Sequence, residues 1–210
     1  NSALVNELIS YFDVTNDNEL SNLLAIYSTN EITSNAVSSE QKLMVVFKSL
    51  GVTCSGNEVV KGLEEIKSEA RKIFNDDSFV EDLNISLDGY SITYNETNNN
   101  YIVKLNSCPA SEDFIVKSIV KATQSDDEIY IYQAFGYFIK GPENKYFVYD
   151  SALKTNQIGE FIDEVGNKEF NQIEELKQFK WTFKKSSDNN YYFVSVTPVI
   201  WLNKSLKLFK

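Results

Sequence analysis

EIYIYQAFGYFIK, residues 128–140, is the stretch on which the fold turns, because its aromatic density reads either as a ligand-binding surface or as the filling of a core. FIVKSIVKATQ (114–124) precedes it, and Ser125-Asp126-Asp127 between the two has turn chemistry. Aromatic and β-branched residues suit pleated backbone, so the pair reads as a long hairpin. Successive strand side chains point to opposite faces. Tyr130 and Tyr132, with Phe138 farther along, therefore share one face, and Phe135 and Tyr137 take the other. Gly136 marks a bulge or bend, since glycine tolerates positive φ and leaves room for a close neighbour. The segment becomes the bent centre of a sheet, with Tyr130, Tyr132 and Phe138 as the ligand-binding candidates on its concave side. In the preceding strand, Lys117 and Lys121 are expected on the face that carries Ile115 and Ile119.

Working outward, NKYFVYD (144–150) is a shorter strand entered through Gly141 and Pro142, and residues 151–177 read as one or two short helical segments. A final hairpin follows, in which Phe179, Trp181 and Phe183 alternate with Lys180, Thr182 and Lys184 before a turn at 186–190. Upstream, GYSITYN (89–95) and NYIVKLN (100–106) form another hairpin. Before residue 76 the period is helical. ALVNELISYF (3–12) carries an apolar stripe, and a second short helix is expected from Thr15. Ser38 and Gln41 have capping-box spacing ahead of Leu43, Val46 and Phe47, with Gly51 as the stop. Ser55 and Glu58 repeat that spacing ahead of VVKGLEEIKSEARKIF (59–74), which reads as a helix throughout. The result is a single α+β domain over residues 1–210: a helical part at about 3–76 packed against a curved, mainly antiparallel sheet at about 88–199.

The chain of 210 residues has a formal net charge of -10, from 30 acids and 20 bases. A chain of that length buries about 70% of its extended surface, enough for one full-sized domain. The acidity argues against non-specific nucleic-acid binding. Residues 1–100 hold 16 acids and 6 bases, whereas 151–210 hold 7 and 9. No apolar run reaches the length of a membrane span, and no signal peptide is present. A start at Asn1 leaves room for a tether outside the sequence.

The chemical inventory is mainly negative. With no histidine, the commonest neutral-pH base and zinc ligand is missing. Neither phosphate-loop nor dinucleotide fingerprint occurs, and no catalytic residue, metal site or cofactor is assigned. Cys54 and Cys108 are either a disulfide or two reduced core thiols. The link DVTNDNE (13–19) lacks the glycine and the terminal acid of a calcium loop. Asp126, Asp127 and Glu128 are the densest acid group, and as turn residues they are expected to face water.

SSEQKL (38–43), RKIFNDD (71–77), GYSITYNETNNNYIVKL (89–105), YFVYDS (146–151) and FKWTFKKSSDNNYYFVSVTPV (179–199) together resemble extracytoplasmic domains of unknown function from low-GC Gram-positive bacteria. That resemblance implies an extracellular, cell-surface or membrane-anchored setting and transfers no site residue. At the level of fold, the pattern is similar to cone-shaped NTF2-like domains. The expected function is a non-enzymatic extracellular or cell-envelope module binding a small molecule, peptide or protein. The alternatives are a carboxylate-dependent hydrolase and a structural or assembly domain.

Overall fold

The computed structural model describes residues 2–13, 26–52, 57–80, 85–87, 90–105, 112–151 and 153–199. Cys54, Cys108, most of the DVTNDNE link, the helix expected from Thr15 and the segment after Val199 lie outside them.

Three α-helices form where the apolar period is 3.6. Helix α1 (Ser2–Ser10) buries Leu8 and delivers Phe12, 1% exposed, just beyond its end. Helix α2 (Ser39–Ser49) begins with a complete capping box: Gln41 N donates to Ser38 Oγ at 3.2 Å and Ser38 N donates to Gln41 Oε1 at 3.1 Å. It ends where Gly51 takes φ +77°, a conformation that costs glycine little. Helix α3 (Leu63–Phe74) buries Ile66, Ala70, Ile73 and Phe74 and stops at Asn75 in the left-handed region. Its start corrects the sequence reading, because Glu58–Gly62 is a strand, β2. Val59 and Val60 are β-branched and find a partner strand, and Gly62 marks the boundary between the two elements.

The other strands are β1 (Ile32–Thr33), β3 (Ile85–Leu87), β4 (Tyr90–Asn95), β5 (Asn100–Leu105), β6 (Phe114–Gln124), β7 (Glu128–Lys140), β8 (Lys145–Tyr149), β9 (Gln157–Ile162), β10 (Lys177–Lys185) and β11 (Tyr191–Pro198). Strand β9 lies where short helices were expected, and only a three-residue 3-10 turn, Ile173–Glu175, is helical there.

The strands make two sheets, which corrects the expectation of one curved sheet and with it the NTF2-like comparison. The larger runs β1-β11-β10-β7-β8-β9 with β6 also on β7, and the smaller runs β2-β5-β4-β3. Both orders begin and end on different strands, so neither sheet closes, and no pairing joins them. The physical reason is that β2 adds to β5 and completes a separate small sheet, leaving β6 to pair with β7 alone. Membrane anchoring is corrected too: among the described residues no helix is long and apolar enough to cross a membrane.

Both sheets enter one helix-containing core. Phe74 of α3 meets Phe193 of β11 at 6.3 Å between ring centroids, and Phe47 of α2 meets Tyr101 of β5 at 5.8 Å. Trp181, Phe179, Phe183 and Phe193 are fully buried in that core, as the alternation in the last hairpin predicts.

Strand β7 organises the larger sheet. Strand β6 occupies one edge of it from Ile129 to Phe138. The other edge is shared end to end: β10 pairs with residues 128–135 and β8 with 137–140. The sheet therefore forks at Gly136. Register runs through that glycine without a shift, and its φ is not positive, so the expected bulge is absent there. The irregularity lies between Ile119 and Lys121 instead, where Val120 is the extra residue.

Candidate functional site

The two faces of β7 have different fates. Ile129, Ile131 and Phe135 enter the helix-containing core, and Gln133 on the same side accepts from Tyr27 Oη at 2.6 Å. The opposite face divides at the fork. Toward its C-terminal end, Ala134 and Phe138 join Phe114, Tyr146, Val148 and Leu176 in a second apolar cluster roofed by Phe161 and Phe170. Toward its N-terminal end, Tyr130 and Tyr132 remain partly exposed.

The registers place these tyrosines in cross-strand rows. Lys121 of β6, Tyr132 of β7, Lys180 of β10 and Thr197 of β11 lie in one row. Thr123, Tyr130, Thr182 and Ser195 lie in the next, and Thr33 of β1 extends it. Lys121 Nζ stands 4.3 Å from the Tyr132 ring centroid and Lys180 Nζ 5.5 Å from that of Tyr130. Such cation–ring contacts hold the ammoniums beside the aromatic faces. Tyr130 Oη donates to Glu128 Oε2, and that bond to a carboxylate, with minor desolvation, raises the phenol pKa. The face is flat backbone carrying two phenols, two lysines and a line of hydroxyls.

Of the sequence candidates, Tyr130 and Tyr132 stand side by side on this face. Phe138 shares the face but is fully buried in the second cluster, so its ring supports the sheet and is not presented to a ligand. The lysines were not legible near Tyr130 in the chain because they arrive from β6 and β10. The Val120 bulge also reverses an expectation: Lys117 pairs beside Phe135 on the core face, whereas Lys121 pairs beside Tyr132 on the outer face.

A second polar group lies in the connection after β8. Asp150, 6% exposed, accepts from Lys177 Nζ at 3.2 Å and Asn156 Nδ2 at 3.0 Å through Oδ2. Its Oδ1 and the hydroxyl of Ser151, 0% exposed, are buried with no hydrogen-bond partner in the protein. A buried polar atom left unpaired costs about 1–3 kcal/mol, so this cluster is strained ground. No local signal announces it, because Lys177 comes near only when β10 and β8 take adjoining parts of the same β7 edge. Ser151 is closed to a substrate by its burial. Asp126 and Asp127 are exposed in the β6–β7 turn. Among the described residues no group of three or more metal-ligating side chains converges.

Comparison with known proteins corrects the resemblance to Gram-positive extracytoplasmic domains: no family, no curated protein and no solved structure matches the chain.

Proposed function

We propose that the chain is a non-enzymatic binding module whose ligand lies on the outer face of the larger sheet, over Tyr130 and Tyr132. The observation that carries this reading is the row Lys121–Tyr132–Lys180, in which cations flank an outward phenol on a flat surface. Rings two residues apart on one strand are separated by about 7 Å, a spacing suited to successive rings of a chain ligand. The hydroxyl row beside them supplies donors and acceptors. The ligand class this favours is an acidic oligosaccharide, its rings over the phenols and its carboxylates at the lysines. A single-stranded nucleic acid offers similar chemistry, but the net charge of -10 sets the chain as a whole against a polyanion without other contacts.

Calorimetric titration with uronic-acid oligosaccharides, their neutral counterparts and a single-stranded oligonucleotide tests the reading. Binding of the acidic sugar is expected, weakening about tenfold, or ~1.4 kcal/mol, in Tyr132→Ala and again in Lys180→Ala. Equal binding of the neutral sugar, preference for the oligonucleotide, or indifference to both substitutions would sink it. An extracellular or cell-envelope setting accompanies this proposal and is tested separately by fractionating the native source; recovery from cytoplasm alone removes it.

A further inference from the structure

We propose that the outer edge of β9 is a docking site for an extended basic peptide, which adds to the larger sheet as a further strand. The main-chain directions can be assigned from two bonds. Gly141 N donates to Lys145 O, so β8 turns its odd-numbered residues toward β7; Asp163 N donates to Asn144 O, so it turns its even-numbered residues toward β9. Antiparallel pairs alternate between bonded and non-bonded residues. With Lys145 opposite Ile162 and Tyr146 opposite Phe161, the residues of β9 that bond inward are Gly159, Phe161 and Asp163. Glu160 and Ile162 therefore aim their N–H and C=O groups outward, and no described strand pairs with that edge.

This edge lacks the devices that blunt the other long one. Strand β6 breaks its free edge with the Val120 bulge and carries Lys117 and Lys121. Strand β9 is regular from Gly159 to Ile162 and ends in exposed apolar side chains, Ile162 at 62% and Val165 at 81%. The loop holding Val165 is fixed, because the Asp163 carboxylate accepts from the backbone N–H groups of Gly166, Asn167 and Lys168. Glu160, Glu164 and Glu169 are exposed around it. Open main-chain groups give strand addition its affinity, an apolar side chain gives it an anchor, and the surrounding acids select a basic peptide.

The test uses the full chain and a short peptide alternating lysine and valine, with a glutamate–valine counterpart and an N-methylated lysine–valine version. Amide exchange at Glu160 and Ile162 is expected to slow about tenfold at a peptide concentration ten times Kd, with no such effect from either control peptide. Ile162→Pro deletes an outward N–H without touching the β8 ladder and is expected to abolish binding, whereas Ile162→Ala only weakens it; retained slow exchange at Phe161 confirms that each variant keeps its sheet. The proposal is overturned if the lysine–valine peptide shows no binding at millimolar concentration, or if the glutamate–valine peptide binds equally. It is also overturned if Ile162→Pro binds as Ile162→Ala does, or if Glu160 and Ile162 become protected with protein concentration alone, which would identify a second copy as the occupant.

Discussion

Leu176 fills the notch that the missing side chain of Gly136 leaves in β7: a Cβ on Gly136 would stand 2.7 Å from Leu176 Cδ2 and 2.9 Å from Phe138 Cε2. The glycine is needed for close approach rather than for a turn. Gly136→Ala is expected to cost about 1–3 kcal/mol by overpacking, toward the lower end because Leu176 Cδ2 is the tip of a flexible side chain. Urea denaturation measures this, and adding Leu176→Ala should recover part of the alanine penalty. A single variant as stable as the parent would show that the notch is not tight.

Tyr27 and Gln133 form a buried pair on the other side of the same strand. The Tyr27 ring stacks on Phe135 at 3.9 Å while its hydroxyl donates to Gln133 Oε1 at 2.6 Å. Tyr27→Phe keeps the stack and strands the amide oxygen, for an expected loss of about 1–3 kcal/mol. The double variant Tyr27→Phe with Gln133→Leu should be more stable than Tyr27→Phe alone. A double-mutant cycle with no coupling would refute the pairing.

Alkaline pH should first stabilise and then destabilise the fold. Burial pushes the Lys48 ammonium down from 10.5 to about 8, while its Nζ donates to Ser10 O at 3.4 Å. Between those pH values the unfolded chain holds a proton that the folded chain has released, so stability rises with pH. Burial, aided by Glu7 and opposed by Lys72, pushes Tyr11 up from 10.0 to about 12. Above pH 10 the unfolded phenol ionises first, and stability falls. Lys48→Met should flatten the rise between pH 8 and 10 in denaturation midpoints. Lys117 is also pushed down to about 8 by burial, but Asp13 lies against it, making Lys48 the cleaner probe.

Asp163 should govern the order of the loop after β9. Desolvation raises its pKa, but backbone hydrogen bonds from Lys168, Gly166, Asn167 and Val165 outweigh this and hold it below the ordinary carboxylate value. A depressed pKa gives a contribution present above the unfolded value and lost as pH falls through the folded one. Amides 166–168 should therefore lose exchange protection on acidification, and Asp163→Ala should lose it at every pH. Unchanged protection in the variant would show that the loop is held by other contacts.

The parts of this fold legible in the sequence are those where one period dominates. The β6–β7 and β10–β11 hairpins follow from alternation, and α2 from its capping box. Strand β2 was hidden because Val59, Leu63 and Ile66 also satisfy helical spacing, with only Gly62 to divide them. Strand β9 was hidden because an edge strand exposes most of its side chains, and QIGEFI shows little alternation. For the candidate site, period two placed Tyr130 and Tyr132 together, but the flanking lysines depend on register. The Val120 bulge that brings Lys121 to the outer face has no marker in SIVKAT.

The fork at Gly136 also has a mechanical meaning. Strand β10 holds β7 through eight residue pairs, 128–135, while β8 holds it through four, 137–140, and β9 hangs on β8 alone. Tension applied at β9 loads the shorter seam first. The β8–β9 arm should peel away at low force, leaving the β10–β11 arm seated, so single-molecule pulling from residue 160 should show two rupture events rather than one. The arm is a fuse, and a partner that tugs on it would be released before the rest of the sheet gives way.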